Sequence, residues 1–157
     1  MRASIALMTT AEDQRIEAVT ADSPFARFDA AVEARLKLFF SPATPVFTPR
    51  TRHYGERLLG VPCKTIAQED AMATIAPPPI LLIQGGKDHL VTPDNAHGIY
   101  QQSPENITNR EVPEASHIRS IYLARAEYAL RINEFLQASF STREAFSEEP
   151  SALPTNE

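Results

Sequence analysis

The chain of 157 residues contains no tryptophan, one cysteine and only 5 glycines. Its single thiol, Cys63, has no partner for an internal disulfide, and no CxxC pair or Cys/His cluster points to structural zinc. Redox compartment is left open. Glycine falls below its ordinary share of roughly 7%. An α/β enzyme uses glycine in tight strand-to-helix turns, so the shortage hints that some turns of such a fold are missing. The apolar stretch between Met1 and Met8 gives way to Glu12 and Asp13, too short for a signal-peptide core or a membrane span. With no targeting segment, a cytoplasmic location is the default expectation. Clustered positive charge is also lacking: the formal net charge is -5, and the Lys and Arg residues are scattered, which argues against a nucleic-acid partner.

What is present suits one compact domain. Hydrophobic residues make up 43% of the chain, enough for a core. Residues 1–13 read as a short helix with Ile5 and Met8 on one side. Residues 15–22 read as a strand, because Ile16, Ala18, Val19 and Ala21 form a mostly apolar run suited to a sheet covered on both faces. Ser23 and Pro24 offer a cap and first-turn proline for a helix whose stripe of Phe28, Val32, Leu36, Phe39 and Phe40 is expected to face the sheet. Residues 41–62, with Pro42, Pro45, Pro49 and Pro62, read as a long connection with a brief helix near residues 53–59. Thr65 and Gln68 suggest a capping box for a helix reaching Ile75.

The sharpest local signal is Ile80-Leu81-Leu82-Ile83, bounded by three prolines before and Gly85-Gly86 after, which marks a buried central strand. Thr92 and Pro93 open a further helix carrying Ala96, Ile99 and Tyr100; residues 106–112 read as a third strand. Tyr128, Ile132, Phe135, Leu136 and Phe140 mark a final helix. Residues 1–140 are therefore expected to form the domain, and the polar residues 141–157 a disordered tail. The alternation of elements, without internal repeats, implies an α/β fold with about three parallel strands joined by right-handed crossovers. Both sheet edges would be exposed, a liability unless something covers them.

Three segments carry a resemblance. Pro79-Ile-Leu-Leu-Ile-Gln-Gly-Gly-Lys-Asp88 looks like a strand and loop presenting a catalytic acid. Val112-Pro-Glu-Ala-Ser-His117 looks like a segment presenting a catalytic histidine, and Ala21-Asp-Ser-Pro-Phe25 like the end of the strand that follows a nucleophile helix. In order and spacing they resemble the α/β-hydrolase superfamily, its esterase-like and peptidase-like members, over nearly the whole chain to about Phe140. The resemblance implies an incomplete α/β-hydrolase fold with Asp88 as the triad acid and His117 as the base. It implies no metal and no organic cofactor, and a small ester or amide as substrate. Loops leaving the carboxyl ends of strands gather on one rim of such a sheet, so two residues on successive loops can meet.

The superfamily's nucleophile is a serine in a G-x-S-x-G turn, and no such motif occurs here. The opening Met-Arg-Ala-Ser resembles the stretch just after that serine, with Met1 at the position whose N–H helps form the oxyanion hole and Arg2 in place of the motif's last glycine. The expectation is thus a truncated serine hydrolase, inactive by itself.

Blander readings stand beside this one. Asp88 is also an ordinary loop aspartate, and His117 a surface histidine near a strand end. His53, His89 and His97 have no partner pattern and read as structural or solvent-facing; the adjacency of Asp88 and His89 falls short of a metal site. Ser4, Ser23 and Ser116 are weak substitutes for the nucleophile, and Gly85-Gly86-Lys87 lacks the length of a P-loop. The aromatic residues Phe28, Phe39, Phe40, Tyr128 and Phe135 are read as core. The competing function is a non-catalytic protein that self-associates or binds a partner through its sheet edge and apolar faces.

Overall fold

In the computed structural model, which describes residues 2–74 and 77–147, three parallel strands lie in the order β1 (Val19–Asp22), β2 (Ile80–Gly85), β3 (Ile107–Val112). Their register sets Ala21 opposite Leu82 and Ile80 opposite Ile107. All six residues of β2 are buried, as a β-branched and leucine run between two neighbours requires. Side chains alternate across the sheet, so Val19, Ala21, Ile80, Leu82 and Ile107 point to one face. There they join Leu7 of α1 (Arg2–Glu12), Met72 of α4 (Gln68–Thr74) and Ala96 and Ile99 of α5 (Pro93–Tyr100) in the core. After the one-turn helix α6 (Ser120–Leu123), the long helix α7 (Arg125–Ser147) attaches to the other face through the Tyr128 hydroxyl, which donates to Asp22 Oδ2 at 3.2 Å.

The α/β architecture with about three parallel strands is as expected; several elements are not. The first strand starts at Val19 rather than at residue 15, because Arg15 folds back onto Asp13 through its backbone N–H and its guanidinium. Ser23 does not cap a helix. It sits at φ 51° with its hydroxyl donated to Asp22 Oδ1, and α2 (Phe28–Phe40) begins five residues later. No residue of α2 is buried; Phe39 is 66% exposed, so the aromatic stripe does not face the sheet.

The expected connection at residues 41–62 is instead a short 3-10 turn followed by a 16-residue helix, α3 (Thr44–Leu59), packed against α2. Pro45 falls in its first turn, where the missing N–H has no partner to lose. Only Pro49 interrupts the ladder. The Thr65 hydroxyl turns back to Pro62 O at 2.8 Å instead of capping α4. The expected end of that helix, Ile75, lies outside the described residues, as do Met1 and residues 148–157. α7 continues to Ser147, past the expected boundary at Phe140.

Candidate active site

Beyond β2 the chain turns through Gly86 and Lys87 to Asp88; beyond β3 it turns through residues 113–116 to His117. These two loops lie on one another. Gly86 N–H donates to Val112 O and Lys87 N–H to Ala115 O, both at 2.9 Å. The approach is possible only because two residues lack side chains. A Cβ on Gly85 would stand 2.5 Å from Ala115 O, and one on Gly86 2.7 Å from Pro113 O, well inside contact distance. The exposed ends of the loops are pinned by an ion pair between Lys87 and Glu114.

Asp88 reaches inward and its side chain is fully buried. Its carboxylate is satisfied by four donors. Oδ1 accepts from the N–H groups of Leu90 and Val91, each at 2.9 Å; Oδ2 accepts from Gln84 Nε2 at 3.2 Å and from His117 Nδ1 at 2.7 Å. A charge removed from water needs this many partners. Because an ionised carboxylate only accepts, it fixes the proton on His117 Nδ1 and leaves Nε2 as the ring's basic nitrogen. The His117 side chain remains 30% exposed. The residue after it, Ile118, is held at φ 52°, which costs a β-branched residue roughly 1–2 kcal/mol.

The ring lines a groove of about 500 Å³ whose other walls include Phe25, Phe28, Val32, Leu36 and Val91. Phe28, Val32 and Leu36 of the expected core stripe face this groove, while Phe39 and Phe40 are exposed. A hollow of about 660 Å³ between Ile16, Pro79, Asn106 and Phe135 lies at the other end of the strands, away from the Asp88–His117 pair.

Of the sequence-predicted residues, Asp88 and His117 are brought together. The others are not. Ser4 is fully buried and its hydroxyl oxygen accepts from Phe25 N–H at 3.1 Å. Ser23 is committed to Asp22, and Ser116 is exposed on the loop itself. His53 and His89 are exposed, and His97 pairs with Gln101 through Nε2 at 2.9 Å. Arg2 stands exposed at the start of α1; the role expected for Met1 lies outside the described residues. No cluster of metal-ligating side chains occurs among the described residues.

Gln84 is a site residue that sequence reasoning misses. Buried at 1% exposure, it donates both to Asp88 and, at 2.7 Å, to Val91 O, while its Oε1 has no partner among the described residues. The signal available in the sequence is a polar residue closing an otherwise unbroken apolar strand.

No protein-family model and no curated protein sequence matches the chain. Among solved structures, a Pyrococcus furiosus esterase aligns with a TM-score of 0.63 at 24% identity, covering 87% of this chain and 49% of the esterase. Pyrococcus horikoshii acylaminoacyl peptidase aligns with a TM-score of 0.54 at 12% identity over 77% of this chain and 19% of the peptidase. Acetyl xylan esterase 1 from a Thermoanaerobacterium species gives 0.53 at 17% identity, over 82% and 42% of the two chains. The chain spans about half the length of the Pyrococcus furiosus esterase. At these identities the likeness concerns the fold, and what it establishes is an incomplete α/β-hydrolase-like arrangement: three parallel strands flanked by helices in an open sheet.

Proposed function

We propose that Asp88 and His117 are the orienting acid and the general base of a site that hydrolyses small esters or amides by the serine-hydrolase route. The observation that carries this reading is the 2.7 Å contact between His117 Nδ1 and a fully buried Asp88 carboxylate, with the ring exposed to an apolar groove. In that geometry Nε2 takes the proton of an attacking hydroxyl, Asp88 stabilises the resulting imidazolium, and Nε2–H then protonates the leaving group. Neither step requires a cofactor. The nucleophilic hydroxyl is not assigned: Ser4 accepts from Phe25 N–H and Ser23 donates to Asp22, and the base and its orienter alone supply little activity. Removal of triad members from complete enzymes shows how much is then lost: several powers of ten.

The test is hydrolysis of p-nitrophenyl butyrate by the chain and by its H117A and D88A variants, with circular dichroism to confirm folding. Residual turnover lost in both variants supports the assignment. Turnover identical in all three overturns it.

A second reading is favoured by the open sheet: β1 and β3 each have one neighbour, β2. A non-catalytic protein would use such an edge to bind a partner or a second copy. Saturable partner binding unchanged by H117A and D88A would favour that reading over hydrolysis.

A further inference from the structure

We infer that the outward face of α3 docks on an anionic lipid surface. Surface helices of globular proteins turn their apolar stripe inward and their polar residues to water. α3 does the reverse. Its inner side is built from buried Thr44 and from half-buried Thr48, Arg52, Gly55 and Glu56. Val46, Phe47, Arg50, Tyr54, Arg57 and Leu58 fall within an arc of roughly 120° at 3.6 residues per turn, and every one of them is exposed. Tyr54 is 71% and Leu58 88% exposed. Phe40, at the end of α2, extends the face by stacking on Phe47 with ring centres 4.6 Å apart.

The charge on this face selects the occupant. α3 carries three arginines and a single acid, in a chain whose net charge is -5. That acid, Glu56, is drawn inward to accept from Cys63 N–H at 3.0 Å. Arg50 and Arg57 therefore stand among the apolar side chains, and neither pairs with a carboxylate of the described residues. A second copy of the chain packed face to face would oppose like charges. A purely apolar partner would desolvate two guanidinium groups that have no carboxylate partner among the described residues, the only hydrogen bond being from Arg50 to Val46 O at 2.9 Å. At a lipid surface, leucine, phenylalanine and tyrosine reach the boundary between headgroups and acyl chains while arginines engage the phosphates. None of this requires a membrane span, and no helix among the described residues is long and apolar enough to form one. Thr51, beside this face, lines the same groove as His117, so docking would bring the groove mouth to the lipid.

The experiment is flotation of the whole chain with vesicles of phosphatidylcholine alone and of phosphatidylcholine mixed with an equal part of phosphatidylglycerol. Wild type is expected to float with the mixed vesicles and far less with the neutral ones. Each basic residue at an anionic surface contributes about a fivefold gain in partitioning, so removing the two positive charges in R50E/R57E should weaken binding roughly thirtyfold or more. Y54D/L58D should also release the chain, and the remote exchange R125E should leave binding in place. All the changed side chains are exposed, and circular dichroism of each variant guards against loss of fold. Failure to float with either vesicle would overturn the inference, as would equal binding by R50E/R57E. So would a dimer, seen by sedimentation, that Y54D/L58D dissociates while no form binds lipid.

Discussion

Replacing Asp88 by alanine tests the central geometry directly. The substitution strands the N–H groups of Leu90 and Val91, the Gln84 amide and the His117 ring N–H around a vacated buried site. An unsatisfied buried donor costs about 1–3 kcal/mol. Water entering beside the partly exposed His117 recovers part of this, leaving an expected loss of about 3–5 kcal/mol from the stranded donors. Asparagine should cost less, because its Oδ1 still accepts from Leu90 and Val91. Its amide N–H groups, however, then face two donors. Gln84 can turn its Oε1, which has no partner among the described residues, toward the asparagine only by giving up the 2.7 Å bond from Nε2 to Val91 O. His117 can respond only by moving its proton from Nδ1 to Nε2, which takes the free lone pair from Nε2. Urea unfolding followed by far-ultraviolet circular dichroism measures the first effect; the chain has no tryptophan to report it. Long-range ¹H–¹⁵N correlation spectra of the imidazole report the tautomer. A D88A variant within about 1 kcal/mol of wild type, or a D88N variant that keeps the Nδ1–H tautomer, would refute the reasoning.

Gly85→Ala should lower stability by about 1–3 kcal/mol and displace residues 113–117, read as shifted His117 resonances; an unchanged spectrum would mean the loop does not rest on Gly85. Burial and the neighbouring Asp22 push the Tyr128 phenol up to about 12, from about 10 in an unfolded chain. A raised folded-state value stabilises the protein below pH 10 and loses that contribution as pH rises towards 12, so stability should fall across this window in wild type and fall less in Y128F. The Cys63 thiol, 1% exposed, is pushed up by burial first and by Glu56 second. Reaction with a disulfide reagent should therefore follow the urea unfolding curve, and rapid labelling of the folded chain would count against its packing.

The parts of this fold legible in the sequence are those where one residue type has one physical outcome. Four consecutive aliphatic residues at Ile80–Ile83 can hardly be anything but a buried strand, and the loops after β2 and β3 carry Asp88 and His117 to the same rim. The helix α3 is not legible, because proline reads as a breaker while Pro45 lies in the one turn that tolerates it. The stripe on α2 has the expected spacing and a different neighbour. Periodicity reports that a helix has an apolar face but not what the face meets, and here Phe28, Val32 and Leu36 meet the groove rather than the sheet. Ser23 shows the same limit at a single residue. Serine before proline suits a helix start, yet the chain leaves β1 through a left-handed conformation at that position.

Asp88 holds two functions on its two oxygens. Oδ1 is fixed by backbone N–H groups three and two residues ahead, which sets the rotation of the carboxylate; Oδ2 is thereby aimed at His117. The histidine is placed with equal economy, since its loop rests on backbone atoms at Gly85 and Gly86 rather than on long side chains. The pair is thus held by main-chain geometry, and small changes elsewhere on the surface should leave it intact. The groove has no such support. Its far wall is α2, backed by α3, a two-helix layer with a single buried residue, Thr44. Low burial of this kind marks the part of a fold that moves most easily. The Asp88–His117 pair is therefore held more firmly than the wall of the groove that it faces.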